Sequence, residues 1–176
     1  MRKTIFTLLA GLLLACSVSA QNLNRSAGMT FSFSGIGLTY GQYADNNCFY
    51  DLSLKLQMGE VFANRTDCPG LSASFTCNYV FHQWPSSNGN VISLYAGPGM
   101  ELGYAKDYRK ERGYLVGLKG RFGGICVFDR NIAISMSISP TIGCHLTVKD
   151  NNVRMEYFRY GLLGSILPEV GIRYCF

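Results

Sequence analysis

Two histidines, His82 and His145, are the residues of this sequence best suited to act as a general base near neutral pH. His145 shares one side of an alternating segment with three hydroxyl-bearing residues, Ser137, Ser139 and Thr141. A nucleophilic hydroxyl must lie beside its base, and a third group must orient that base. The nearest serine is six residues from His145, and no serine lies within a Gly-x-Ser-x-Gly turn. His82, close to Trp84, is typical of an interfacial residue at a strand end. The sequence therefore predicts no catalytic residue and no enzyme.

The N-terminal segment has the pattern of a secretory signal peptide. A basic start precedes an apolar run over 5–15, and small residues lead up to Ala20. This pattern predicts cleavage after Ala20, which makes 1–20 a signal peptide and 21–176 the mature domain. The apolar run is too short to span a bilayer as a helix. One alternative stays open, because the four residues ending at Cys16 could be a lipobox that leaves a lipidated N-terminus.

The composition of the mature chain fits one domain and excludes several classes of protein. Charged residues make up 15% of the sequence, whereas Gly occurs 20 times and Phe and Tyr 11 times each. This balance favours strands that face lipid over a soluble surface. The net charge of +5 includes two basic residues of the predicted signal peptide. The remaining excess is small and dispersed, which argues against a nucleic-acid partner.

Six cysteines follow the predicted cleavage site: Cys48, Cys68, Cys77, Cys126, Cys144 and Cys175. An even number in a secreted protein would normally suggest disulfides. However, Cys77, Cys126 and Cys144 fall on the apolar side of strand patterns, where they are expected to act as small hydrophobes. Cys48 and Cys68 lie near loops, and a disulfide between them stays open. The Cys and His spacing matches no zinc site, so neither a metal nor another cofactor is predicted.

Apolar and polar residues alternate along most of the mature chain, which is the primary signal for β-strands. The segment 132–148 keeps this alternation throughout. It is longer than ordinary strands of about 5–6 residues and longer than the about 9–11 residues that cross a membrane. Seven segments are clear, at 29–43, 48–61, 71–84, 91–105, 113–128, 131–149 and 165–176. An odd number cannot close an antiparallel sheet, so 153–157, which follows a good hairpin turn, is taken as the eighth strand. The fold predicted is all-β: a closed antiparallel transmembrane β-barrel of eight strands.

The choice of the eighth strand determines where the loops lie. With 153–157 as a separate strand, the charged loop 106–112 falls on the same side as both chain ends, where small barrels usually have short turns. Treating 153–176 as one long strand moves this loop to the other side but leaves an odd count. The orientation of the loops is therefore left open.

The alternation also divides the side chains between two faces. Eight apolar residues are predicted to face lipid: Leu52, Leu54, Phe75, Leu94, Leu118, Ile134, Ile138 and Ile172. The opposite parity carries charged residues that are predicted to point into the lumen as a charge network: Glu101, Lys119, Arg121, Glu169 and Arg173. The interior of an eight-stranded barrel is just wide enough for its own side chains, which predicts a packed polar lumen. A narrow pore is the alternative, because several lumen positions are glycine.

The last residues of the sequence carry a resemblance to a known family. Glu169, Gly171, Tyr174 and Phe176 match the C-terminal β-signal of bacterial outer-membrane barrels: a polar residue, a glycine two positions later, and two aromatic residues. With the signal peptide and the alternation, the mature chain resembles small outer-membrane β-barrel proteins of the OmpX-like and OmpA-transmembrane-domain-like kind. Gln21 and the Tyr- and Gly-rich strands are similar to barrels from the Bacteroidota.

The resemblance implies an outer-membrane location and a set of partners. These partners are outer-membrane lipids, periplasmic chaperones and the barrel-assembly machinery, and the barrel is expected to be a monomer. The β-signal is shared by barrels of many functions, so it carries over no catalytic or ligand-binding residue. The function expected is a non-enzymatic outer-membrane barrel with a structural or surface-interaction role. The alternatives are a lipid A-modifying acyl enzyme that uses His145, or a narrow pore.

Overall fold

The computed structural model describes residues 25–45, 47–58, 69–85, 90–106, 112–128, 131–149, 152–158 and 168–176. Ten β-strands account for nearly all of this part of the chain. They are β1 (Arg25–Ser32), β2 (Gly35–Asp45), β3 (Cys48–Gln57), β4 (Gly70–Pro85), β5 (Val91–Lys106), β6 (Arg112–Phe128), β7 (Ile132–Ile138), β8 (Thr141–Lys149), β9 (Asn152–Tyr157) and β10 (Glu169–Cys175). Among these residues, no helix has the length and apolar character needed to cross a membrane.

The strands form one closed antiparallel ring. Each of β1 to β5 pairs with the next strand along the chain, and β10 pairs with β1 to close the ring. β6 pairs with β7 through 122–128 and with β8 through 114–119, so β7 and β8 are successive parts of one wall strand. β10 pairs with β7 and β9 pairs with β8, so β9 and β10 are likewise successive parts of one wall strand. The ten strands therefore occupy eight positions, and the predicted eight-stranded antiparallel barrel is confirmed.

The break between β7 and β8 has a local cause. It falls at Ser139 and Pro140, and proline has no N–H to donate to a strand ladder. The Pro140 carbonyl still accepts a hydrogen bond from the Gly120 amide at 2.8 Å. The wall is therefore interrupted in its strand pattern but stays joined to β6.

The eight positions differ from the predicted ones at two places. The predicted strand 29–43 is a hairpin, in which β1 and β2 are joined by a turn at Phe33 and Ser34. Gly35 follows with φ of 154°, and a Cβ there would overlap the Leu56 carbonyl oxygen, so this position requires glycine. The segment 153–157, taken as a separate wall strand, instead shares one position with β10. The predicted count was right because these two errors cancel.

The corrected strand order also settles the placement of the loops. Arg25 and Phe176 exchange two backbone hydrogen bonds, with N···O distances of 3.2 and 2.9 Å, and define what we call the terminal end of the barrel. β5 ends and β6 begins at the other end, which we call the distal end. The charged loop 106–112 is thus attached at the distal end, away from Arg25 and Phe176.

The outer face of the barrel is apolar. Seven of the eight residues predicted to face outward are exposed: Leu52, Leu54, Phe75, Leu118, Ile134, Ile138 and Ile172. Leu94 has the same outward parity but is half-buried, since it lies over Gly124 of the neighbouring strand, within 3.4 Å of the place where a Cβ would stand. The sequence parity therefore assigned the two faces correctly.

Candidate functional site

The charged side chains of the barrel meet in its lumen, where two of them contact Asp51. Asp51 is fully buried on β3. Arg121 of β6 donates to its Oδ2 at 2.6 Å. Arg173 of β10 donates to Oδ1 at 2.6 Å and to Oδ2 at 2.9 Å. Three wall strands that are distant in sequence thus converge on one carboxylate, which accepts three charge-assisted hydrogen bonds.

Arg173 reaches Asp51 because the wall between them carries little side-chain bulk. Its own strand is separated from β3 by β1 and β2. At Gly28 of β1, a Cβ would lie 2.9 Å from the Arg173 Cγ. At Gly41 of β2, a Cβ would lie 2.8 Å from Asp51 Oδ1 and 3.3 Å from an Arg173 terminal nitrogen. The two glycines therefore form the surface on which the arginine side chain extends across the lumen.

Two further ion pairs continue the polar interior toward the distal end. Lys55 Nζ lies 2.6 Å from Glu169 Oε1, and Lys119 Nζ lies 3.7 Å from Glu101 Oε2. Hydroxyl groups complete these pairs: Ser74 accepts from Lys119 at 3.2 Å, Ser139 donates to Glu169 at 3.4 Å, and Thr141 donates to Glu101 at 2.9 Å. Buried charges are stable only when they are paired and hydrogen-bonded in this way.

The predicted charge network is thereby confirmed, with two additions, Asp51 and Lys55. Glu101, Lys119, Arg121 and Arg173 are buried, and the side chain of Glu169 is 13% exposed. All five point inward and take part in the contacts above. Asp51 lies on the polar side of its strand and is the residue on which two of the five, Arg121 and Arg173, converge. We call Asp51, Arg121 and Arg173 the ionic centre.

The lumen at the terminal end is apolar, whereas the alternation predicted a packed polar lumen. Six buried residues pack together there: Phe49, Val80, Tyr95, Ile125, Ala133 and Cys175. The ring of Phe49 stands edge-on to Tyr95, with centroids 5.0 Å apart, and lies 5.2 Å from the ring of Tyr43. We call these six residues the terminal plug. The Arg121 guanidinium lies over the Tyr95 ring, 5.7 Å from its centroid, so the plug and the ionic centre are in contact.

A signal for the terminal plug was present in the sequence. Its members are apolar residues on the otherwise polar parity, and they occur where each strand approaches the terminal end. Taken one at a time, such residues look like interruptions of the alternation. Only the strand order brings Phe49, Tyr95 and Ile125 to one level of the lumen.

His145, the residue weighed as a general base, lies in the lumen toward the distal end. It is 2% exposed, and its Nε2 lies 3.0 Å from the Ala105 carbonyl oxygen. A carbonyl only accepts, so Nε2 is the donor in this contact, and Nδ1 forms a hydrogen bond with the Thr147 hydroxyl at 3.3 Å. The ring also stacks on Phe158, with centroids 6.2 Å apart. Both ring nitrogens are thus used in contacts that hold the imidazole in place.

The serines that share the parity of His145 bond to other groups. The Ser137 hydroxyl accepts from Arg121 at 3.3 Å, and the Ser139 hydroxyl bonds to Glu169. These hydroxyl groups bind members of the charge network, and the structure does not bring them to the histidine as a nucleophile and base.

His82 and Trp84 are exposed at the terminal end of β4, with ring centroids 4.1 Å apart. Across the described ranges, no three His, Cys, Asp or Glu side chains are grouped as metal ligands.

Comparisons with family models, with curated proteins and with solved structures gave no significant match to this chain.

Proposed function

We propose that this chain is a monomeric outer-membrane β-barrel with a structural or surface-interaction role, without catalysis and without an open channel. The observation that carries the proposal is that the barrel is apolar outside and holds its charged groups inside, which is the reverse of a water-soluble protein. The outer surface of the closed sheet is lined by exposed Leu, Ile, Met and aromatic side chains, whereas the buried charged side chains and many hydroxyl side chains lie inside. In water such a surface would drive association, but in a bilayer it matches the surrounding hydrocarbon.

The distribution of exposed aromatic residues supports the same environment. Tyr104 and Tyr114 face outward near the distal end, with ring centroids 5.3 Å apart. Trp84 and Tyr174 face outward near the terminal end, where Tyr174 stacks on Phe176 at 6.4 Å. Transmembrane barrels carry aromatic rings at both boundaries of their apolar band. The strands β5 and β6, of 16 and 17 residues, exceed the about 9–11 residues needed to cross.

Sequence features support the outer membrane of a Gram-negative bacterium in particular. The signal peptide predicted over 1–20 would deliver the chain to the periplasm, and the pattern of Glu169, Gly171, Tyr174 and Phe176 resembles the barrel-assembly signal. The partners proposed are outer-membrane lipids, periplasmic chaperones and the barrel-assembly machinery. Within this class the chain is proposed to be of the OmpX-like or OmpA-transmembrane-domain-like kind, from the Bacteroidota.

The contents of the lumen support a passive barrel. The terminal plug fills one end, and the ionic centre and two further ion pairs occupy the middle. An eight-stranded barrel has little interior beyond its own side chains. His145 is held by a carbonyl, a hydroxyl and an aromatic ring, which is the arrangement of a structural histidine.

Membrane fractionation tests the location. The full chain should remain with the outer membrane after urea and carbonate washes, and it should migrate faster on a gel unheated than after boiling. Recovery as a monomer in the detergent-free periplasmic fraction would overturn the proposal.

Two measurements test the role. Lipid A mass profiles from cells with and without the protein should be identical, and planar bilayers containing it should show no steady single-channel conductance. A His145-dependent change in lipid A acylation, or a stable conductance, would replace the passive role with one of the two alternatives.

A further inference from the structure

Two cysteines that the sequence separates lie side by side on the outer face of the terminal end. Cys48 begins β3 and Cys77 lies on β4. Cys48 stands opposite Tyr79, and Cys77 stands opposite Tyr50, so the two thiols are diagonal neighbours on the same face of adjacent strands. Their Sγ atoms are 3.8 Å apart, and both side chains are half-buried thiols.

We propose that Cys48 and Cys77 form a cross-strand disulfide when the protein meets a thiol-oxidising partner. This oxidising partner is itself a disulfide compound. A thiolate from one cysteine attacks it, forms a mixed disulfide and releases one thiol. The second cysteine then attacks the mixed disulfide and releases the other thiol. The two cysteines lose two protons and two electrons, and the external disulfide gains both.

The contact distance favours this pairing. A disulfide needs the sulfur atoms at about 2.05 Å, and each free thiol can turn about its Cα–Cβ bond between staggered positions. The antiparallel register holds the strands together on both sides of the pair, from Cys48 opposite Tyr79 to Gln57 opposite Gly70. The Asn47 carbonyl accepts from the Val80 amide at 2.8 Å beyond it. The paired strands therefore hold the two cysteines side by side, and the bridge has to close the 3.8 Å between their Sγ atoms.

The remaining described cysteines are held apart from this pair. Cys126 faces outward on β6, between Ile92 and Ile134. Cys144 lies on β8 beside Val116, and Cys175 is buried in the terminal plug. Cys68, whose disulfide with Cys48 was left open from the sequence, lies outside the described residues. The competing bridge is therefore Cys48 with Cys68, and the test must separate the two.

The bridge would have a defined place in the barrel. It would link β3 and β4 covalently at the terminal end, on the side of the wall away from Phe49 and Asp51. It depends only on the contact of two thiols and not on the proposed function. Failure of the outer-membrane proposal would show in the fractionation experiment, whereas failure of this proposal shows only in the state of the thiols.

Peptide mapping of the full chain tests the proposal directly. The reduced protein, folded in detergent, is exposed to oxidised glutathione, and remaining thiols are blocked with N-ethylmaleimide in denaturant. Digestion and mass spectrometry should then give one peptide pair joined through Cys48 and Cys77, with Cys126 and Cys144 alkylated. The Cys68→Ser variant should give the same joined pair, and Cys77→Ser should abolish it. The Cys126→Ser variant is the matched control, since it removes another outward cysteine and should change nothing.

Stability gives an independent measure. Oxidation should raise the urea midpoint of the wild type and of Cys68→Ser, and it should leave Cys77→Ser unchanged. A Cys48–Cys68 linked peptide in the wild type would overturn the proposal, as would free Cys48 and Cys77 thiols in oxidised Cys68→Ser. The mapping of the wild-type chain decides the question even where a serine variant fails to fold.

Discussion

The terminal plug and the ionic centre fill neighbouring levels of one lumen by opposite means. In the plug, Phe49, Tyr95 and their neighbours bury apolar surface. In the ionic centre, Asp51 is enclosed by Arg121 and Arg173, which are themselves buried. Loss of a plug side chain leaves a void that neighbours can partly fill, but loss of an ionic partner leaves a charge with no water to solvate it. The plug therefore consists of separable contributions, whereas the ionic centre acts as a unit.

The largest effect is expected from Asp51→Leu. This change leaves two buried guanidinium groups without their carboxylate, so it should lower the free energy of unfolding by about 4–5 kcal/mol, near the top of the range for a broken buried pair. Urea unfolding in detergent, followed by fluorescence of the single tryptophan, Trp84, measures it. Asp45→Leu, at an exposed position at the end of β2, is the control and should change the value by no more than about 1 kcal/mol, since contacts of an exposed charge contribute little. Equal losses in the two variants would contradict the central role of Asp51.

Phe49→Ala tests the plug and should have the second largest effect. Phe49 is 1% exposed, and truncating a buried phenylalanine costs about 3–4 kcal/mol. Phe75→Ala removes the same side chain from the outer face, where Phe75 is 44% exposed, and should cost much less. The same unfolding assay compares them. A larger loss at Phe75 would mean that the terminal plug contributes little to the barrel.

Lys119→Met should have a smaller effect than either. The Lys119–Glu101 contact is long, at 3.7 Å, and Glu101 keeps its hydrogen bond from Thr141. The expected loss is about 1–2 kcal/mol, typical of a hydrogen bond to a charged group. The urea midpoint measures it, and a loss as large as that of Asp51→Leu would extend the ionic centre to include this pair.

The smallest net change is expected from replacing the whole ionic centre. Asp51→Leu, Arg121→Leu and Arg173→Met together leave no unpaired charge at this level of the lumen. Buried ion groups replaced as a unit by apolar residues of similar volume often change stability little, so the triple variant should lie within about 1 kcal/mol of the wild type. A triple variant less stable than Asp51→Leu alone would show that the three contributions add, and the distinction from the plug would be lost.

The sequence predicted the wall of the barrel better than its contents. Period-2 alternation assigns each side chain to a face, and this was sufficient to place Glu101, Arg121 and Arg173 inside. It does not give the relative height of residues on different strands, since that depends on the stagger of the closed sheet. The meeting of Arg173 with Asp51 could not be foreseen for this reason. The apolar Tyr95 and Ile125 were likewise recognisable as inward but not as neighbours.

The sequence contains a signal that the segment 29–43 is not one strand. Apolar residues fall on odd positions at Met29, Phe31 and Phe33, and on even positions at Ile36, Leu38 and Tyr40. A change of parity within a run marks a turn, because a continuous strand cannot move its apolar set to the other face. The segment reads as one strand only if this change is overlooked. A break in the strand at Pro140 could be predicted from the sequence, since proline interrupts a strand ladder.

The contact between Arg173 and Asp51 has a consequence for how the barrel is assembled. The two residues are 122 positions apart, and β10 is the strand that pairs with β1 to close the ring. Contacts between such distant positions form late, because closing a long chain loop costs entropy before any bond repays it. Without β10, Asp51 keeps only Arg121 as a charged partner. Completion of the ionic centre and closure of the wall therefore depend on the same strand, because β10 supplies both Arg173 and the edge that pairs with β1.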